Sequence, residues 1–203
     1  LFRSLDLEGS SSISTTSFNG NKGDGIDIFV SGVSSRADVD LHNVTVGTTG
    51  SGNTLNGFQF QSLDGGEFNL QAYQTAFNSN GGAGLSGTVT NTAGVDTIGR
   101  IRIVGGSADS NTGSGFDLQG SNTTGGPTGI ATLTAMFQAD DLGAGISAQN
   151  NGGFGLNFVT TSTVQSTPTA GTVGNLLMTG PSTLNGNTSG TVNISMNKAL
   201  QAI

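Results

Sequence analysis

Polar and apolar residues alternate along a set of short segments: VDLHNVTV over 39–46, EFNLQAYQTAF over 67–77, RIRIV over 100–104 and ATLTAMF over 131–137. A period of two puts every second side chain on one face, the pattern of a half-buried strand. After these segments come Gly-rich polar corners and then second short apolar stretches, among them GIDIFV from Gly25 and GFDLQG from Gly115. Polar loops such as SGVSSRAD (31–38) and QGSNTTGGPTG (119–129) lead back to the next alternating segment. The pattern predicts two or three short strands per unit and no helix.

The corners repeat. NKGDGIDI (Asn21–Ile28), NTLNGFQF (Asn53–Phe60), NGGAGLSG (Asn80–Gly87), NTGSGFDL (Asn111–Leu118), DLGAGISA (Asp141–Ala148) and NGGFGLNF (Asn151–Phe158) all fit Asn/Asp-x-x-x-Gly-apolar. Their final glycines, Gly25, Gly57, Gly84, Gly115, Gly145 and Gly155, are separated by 32, 27, 31, 30 and 10 residues. STLNGNTSGTVNI (182–194) aligns with TSFNGNKGDGIDI (16–28) without a gap, with Thr191 in the place of Gly25. The period is about 30 residues, with one doubled turn near 145–155, and such periods mark repeat architectures.

Short strands, no helix and Gly-Asn corners at this period describe a winding chain whose layers stack about 4.7–4.9 Å apart. The pattern resembles the right-handed parallel β-helix of the pectate-lyase-like superfold, and in character the β-solenoids of bacterial surface and adhesin-type proteins. The expected fold is therefore all-β, a right-handed parallel β-helix of about six to seven coils. Ile26, Ile28, Phe58, Phe60, Leu85, Phe116, Leu118, Ile146, Leu156 and Phe158 would point inward as apolar columns. The corner glycines would supply positive φ or close backbone approach. The corner residues Asn21, Asn53, Asn80, Asn111, Asp141 and Asn151 would line up, the asparagines as a side-chain ladder. An antiparallel sandwich also uses many short strands, but the regular register favours the solenoid. One domain is expected over 1–203, either whole or one segment of a longer solenoid, with 159–181 as a Thr/Pro/Gly-rich excursion before the last coil.

Composition narrows the function. Of 203 residues 35 are Gly and 9% are charged, yet 33% are hydrophobic and regularly spaced, which argues for a folded chain. A net charge of −7 with six Lys and Arg leaves no basic patch for nucleic acid. No apolar run is long enough to span a membrane as a helix. The absence of Cys removes disulfides, thiolate zinc sites and thiol catalysis. A Cys-free chain rich in Thr, Ser, Asn and Gly that opens on Leu1 is expected to be an exported, mature or excised piece. Sequons stand at Asn43, Asn122, Asn187 and Asn193.

Candidate chemistry is sparse. GDGIDIF and GSGFDLQ, from Gly23 and Gly113, resemble the calcium-binding nonapeptide of another β-roll family, but there the repeat is nine residues, so that adjacent turns share an ion. Gln59, Ser86, Ser147 and Asn157 replace the aspartate in the other copies. The corner reading is therefore preferred, with no metal and no cofactor expected. Asp140-Asp141 is the one adjacent carboxylate pair, and carboxylate pairs perform acid–base work in β-helical polysaccharide hydrolases. The Gly-His-Gly and Asn-Thr-Asp motifs of those enzymes are absent, and RIRI lacks the Lys of their Arg-Ile-Lys. His42, the sole histidine, has no evident partner, and Arg100 and Arg102 read as solvated strand surface. No Walker loop, dinucleotide fingerprint, HExxH or GxSxG occurs.

Both ends of the sequence are strand-like: LFRSLDLEGSSSIS (1–14) and GTVNISMNKALQAI (190–203). An uncapped sheet edge is a template for another strand layer. Val192, Ile194 and Met196 alternate as a donated intersubunit strand would. The expected function is a structural, non-enzymatic β-helix at the cell surface or outside the cell, a subunit of a head-to-tail filament or the stalk of a large adhesin. Self-association or continuation of a longer solenoid is the expected partnership, with surface carbohydrate as a further partner. The alternatives are a polysaccharide lyase or hydrolase and a calcium-stiffened binding module.

Overall fold

A computed structural model describes residues 16–123, 128–163, 170–197 and 199–200. The 1–14 segment, four residues of the 119–129 loop and residues 198 and 201–203 of the C-terminal segment lie outside these. The described residues form strands and turns and no helix, so no helix is long and apolar enough to cross a membrane. The strands are β1 (Ile26–Ser31), β2 (Arg36–His42), β3 (Phe58–Leu63), β4 (Glu67–Tyr73), β5 (Leu85–Asn91), β6 (Thr97–Val104) and β7 (Phe116–Asn122). They continue with β8 (Gly129–Gln138), β9 (Ile146–Ser147), β10 (Phe154–Ser162), β11 (Ala170–Thr179), β12 (Ser182–Thr183), β13 (Gly190–Asn197) and β14 (Ala199–Leu200).

The chain alternates between two sheets. One has the order β1-β3-β5-β7-β10-β13 and the other β14-β11-β8-β6-β4-β2. Neighbouring strands run parallel throughout, as in Ile26 beside Phe58 beside Leu85 beside Phe116 beside Leu156 beside Val192. A third, narrower column consists of parallel bridges through Ser17, Thr45, Ala76, Ser107 and Ser147, continued by β9 and β12. This all-β parallel stacking is consistent with a β-helix. Strands of opposite direction, which a sandwich requires, are not seen among the described residues.

The alternation read from the sequence decides which side chains enter. In β8 buried and half-buried residues strictly alternate over ten positions. Phe58, Phe60, Leu85, Phe116, Leu118, Leu156 and Phe158 are fully buried and Ile146 is nearly so, whereas Ile26 and Ile28 in the first layer are half-buried and pack against the same core. Each large side chain so enclosed contributes about 1.5–3 kcal/mol. Large residues are accommodated by small ones in the adjacent layer. Phe60 stacks on Phe68 with centroids 4.3 Å apart, and a Cβ on Gly87 would lie 2.0 Å from the Phe60 ring.

Two features depart from the sequence reading. The 159–181 stretch holds the end of β10 and all of β11, which pairs with β8 over ten positions from Ala170 beside Gly129 to Thr179 beside Gln138. Among the described residues of this stretch, Thr160, Thr161, Gly171, Thr172, Gly174 and Thr179 occupy strand positions; Thr172 is buried, and a Cβ on Gly174 would lie 2.8 Å from Thr160 Cγ2. The doubled turn is a longer excursion within a single layer, over 139–145, between the end of β8 and β9.

Candidate functional site

The Asn corner is a continuous ladder. The backbone N–H and Nδ2 of Asn21 donate to Oδ1 of Asn53 at 3.2 and 2.9 Å. Asn53 donates in the same way to Asn80, Asn80 to Asn111, Asn111 to Asn151 and Asn151 to Asn187. The second Nδ2 proton reaches the carbonyl of Phe18 from Asn53, of Val46 from Asn80, of Phe77 from Asn111 and of Ala148 from Asn187. Asn53, Asn80 and Asn111 thus use both amide protons and both lone-pair directions while 2% exposed. A carboxylate cannot serve here, since it has no proton to give and would be a buried charge.

That requirement corrects one of the six copies. Asp141 and Gly145 of DLGAGISA do not join the ladder. Ile146–Ser147 lies in the third column beside β12, and a Cβ on Gly145 would fall 1.3 Å from the Pro181 carbonyl oxygen. The sixth rung is Asn187, and the step from Asn111 to Asn151 is 40 residues because the 139–145 excursion intervenes.

The corner glycines are needed for close approach. Gly25, Gly57, Gly84, Gly115 and Gly155 have no positive φ; a Cβ on Gly84 would meet the carbonyl oxygens of Phe77 at 2.5 Å and Gly115 at 2.7 Å and Nδ2 of Asn111 at 2.8 Å. Positive φ occurs one residue before the rung instead, at Gly20 (69°), Ser79 (58°), Ser110 (58°), Asn150 (56°) and Gly186 (66°). Asp27 and Asp117, the aspartates of the nonapeptide-like matches, stand in one column with Gln59 and Ser86 between them. Three layer steps separate them by roughly 14 Å, too far to share an ion, and no three His, Asp or Glu side chains gather as a metal site among the described residues.

A second cluster faces outward where β2, β4, β6 and β8 end. His42 and Tyr73 are register partners, and their rings stack at 4.6 Å with 14° between planes. The Arg102 guanidinium lies 5.6 Å from the Tyr73 centroid, donates to Tyr73 Oη at 2.9 Å and to Gln138 Oε1 at 2.7 Å. His42 Nε2 stands 2.9 Å from Asp40 Oδ1, so the histidine has the acidic partner that the sequence reading missed. Asp140 Oδ2 accepts from Gln74 Nε2 at 2.8 Å, and Oδ1 accepts from the N–H groups of Leu142 and Ala144. These bonds, the Gln74 bond foremost, hold the Asp140 carboxyl below the ordinary aspartate range. Together they border a cavity of about 470 Å³ whose lining includes His42, Tyr73, Gln74, Arg102, Asp140 and Asp141.

The period was the signal for this cluster. Asp40 and His42 are two apart on one strand face, and Tyr73 follows His42 by one repeat. Gln74 and Asp140, 66 residues apart, meet only because the 139–145 excursion folds back over the earlier layers. Arg100 lies elsewhere on this face, donating to Glu67 and to Asn69, which itself donates to Asp38. Among the sequons, Asn122 Nδ2 donates to the carbonyls of Gly129 and Gly171, and the amides of Asn187 and Asn193 are also engaged; Asn43 is exposed.

The third feature is the last layer. Val192, Ile194 and Met196 stand in register with Leu156, Phe158 and Thr160 of the core columns. Nothing described covers their other side, and they are 39%, 53% and 41% exposed. Ile194 and Met196 line an open cavity of about 520 Å³ with Leu176 and Leu177.

No protein-family model matches this chain, and neither the curated proteins nor the solved structures contain a match.

Proposed function

We propose that the protein is a structural β-helix, right-handed and of about six to seven coils in the manner of the pectate-lyase-like superfold, which works outside the cell or at its surface as a subunit of a head-to-tail filament or a section of an adhesin stalk. The observation carrying this reading is the last layer, where Val192, Ile194 and Met196 continue the core columns yet remain exposed. Exposed apolar patches of this kind mark association surfaces, and an open strand edge supplies the backbone groups for it. The ladder supports a mechanical role, since it ties each corner to the next through buried, fully satisfied carboxamides. Sedimentation velocity over a range of concentrations, with electron microscopy of the most concentrated sample, tests the proposal. Concentration-dependent rods are expected; monomers at every concentration would overturn it.

One observation favours a second reading, a saccharide-binding face. The His42–Tyr73 stack with Arg102, Gln74 and Gln138 offers planar polar groups around a shallow cavity. Binding without cleavage fits it better than hydrolysis, because Asp140 is held ionised by three hydrogen bonds whereas a general acid needs a raised pKa. A glycan panel showing no binding, or binding indifferent to Tyr73→Ala, would remove this reading.

A further inference from the structure

The carboxamide ladder has a direction. Every rung from Asn21 to Asn151 gives its backbone N–H and one Nδ2 proton to the oxygen of the rung that follows. Asn187 receives from Asn151 and gives one proton to Ala148, but no following oxygen stands beyond it among the described residues. At the other end, Asn21 gives to Asn53, and its Oδ1 accepts from no described residue. One end of the stack therefore offers two donors and the other an acceptor, in the geometry that every interior step repeats.

The two ends also match in shape and in apolar pattern. Gly20 and Gly186, each preceding its rung, have φ of 69° and 66°, and both lie in an Asn-Gly-Asn corner that the interior rungs lack. Continuing the columns by one layer would set Val192 against Ile26, Ile194 against Ile28 and Met196 against Val30. In the third column Leu184 would meet Phe18, both half-buried at the core's edge. No charged residue occurs between Asp141 and Lys198, so β13 carries none of the charges or prolines that keep an edge strand solitary.

We infer that a second copy of this chain docks its Asn21 layer onto the Asn187 layer of the first, with Asn187 N–H and Nδ2 donating to Asn21 Oδ1 of the second copy and β13 pairing in parallel with its β1. The contact is heterologous and does not close, so it propagates into a filament. This inference rests on the self-association reading and adds its partner, polarity and register.

The chain has no cysteine, which makes disulfide trapping clean. Phe29 and Ser195 are both exposed and would be direct neighbours in the proposed register. Their Cα atoms would lie about 4.8 Å apart, within disulfide reach, whereas Asp27 and Ser195 would be about 8 Å apart, beyond it. Full-length F29C and S195C are mixed under mild oxidation and resolved on non-reducing gels. The mixed disulfide dimer is expected to dominate, the D27C and S195C mixture to give little, and Asn187→Asp in the S195C chain to cut the yield about tenfold by replacing the Nδ2 donor with a carboxylate oxygen that faces Asn21 Oδ1. Asn187→Asp keeps the oxygen that Asn151 uses but loses the bond to Ala148, so thermal melting of the monomer checks that the fold survives. Equal trapping by D27C, predominant homodimers, or yield insensitive to Asn187→Asp would overturn the inference. If the unmodified chain sediments as oligomers while these traps fail, the register is wrong and the self-association reading stands; if it sediments only as monomers, both fall.

Discussion

Leu156 and Val192 are neighbours in one column, as are Phe158 and Ile194, yet the first of each pair is fully buried and the second is 39% or 53% exposed. Sheet, column and register are the same; what differs is the presence of a following layer. Burial in this stack belongs to a pair of layers, so a side chain's energetic weight depends on its distance from the end. The ladder repeats the lesson: Asn111 is bonded by rungs on both sides, and Asn187 by one.

Substitutions that contrast interior with edge test this directly. The largest effect is expected at Phe60, which stacks on Phe68 and sits over Gly87. Phe60→Ala should cost about 3–5 kcal/mol in urea unfolding, while Ile194→Ala should cost less than about 1 kcal/mol in the monomer. Equal costs would mean that the last layer is as enclosed as the interior.

Next comes the ladder. Asn111→Ala removes its own two Nδ2 bonds and the acceptor used by Asn80, in a buried setting. A loss of about 3 kcal/mol is expected, against about 1 kcal/mol for Asn187→Ala. Calorimetric melting of both variants decides it. A smaller contrast should separate two glycines. Gly84→Ala forces a Cβ against the Phe77 and Gly115 oxygens and should destabilise by about 2 kcal/mol, whereas Gly23 has open space and Gly23→Ala should stay within about 0.5 kcal/mol.

The smallest effect belongs to the exposed face. Arg36, by its hydrogen bond to Asp38, lowers the Asp38 carboxyl below the ordinary aspartate range; burial opposes this, and the Asn69 hydrogen bond and the Arg36 charge add to the lowering. A depressed folded pKa stabilises above the unfolded value and is lost as pH falls through the folded one. With Asp38 36% exposed, solvent screening limits this to a few tenths of a kcal/mol. Arg36→Met should flatten that part of the acid-unfolding profile, and an unchanged profile would show that the pair contributes nothing.

Much of the stack was legible because each layer imposes the same demand on the chain. Asn80 and Asn111 recur since a buried corner needs a side chain that both donates and accepts, and Gly84 and Gly115 recur since two backbones pass within contact there. Asp141 and Gly145 imitated that signature by spacing and composition alone. The motif cannot tell a rung from a turn, because a rung is defined by what lies in the next layer. The outward cluster was less legible for a related reason: Tyr73, Arg102 and Asp140 share no motif, and solvent-facing columns accept different residues in each repeat.

The sequence by itself determined the strand alternation, the period and the identity of the corner residues, because these follow from local backbone geometry and from a requirement repeated at every turn of the chain. Only the tertiary structure decided which copies are rungs, that Gln74 meets Asp140, and that Val192, Ile194 and Met196 lie open. Those outcomes depend on how many residues each layer consumes and on whether another layer follows, quantities that belong to the stacked whole and to no single segment.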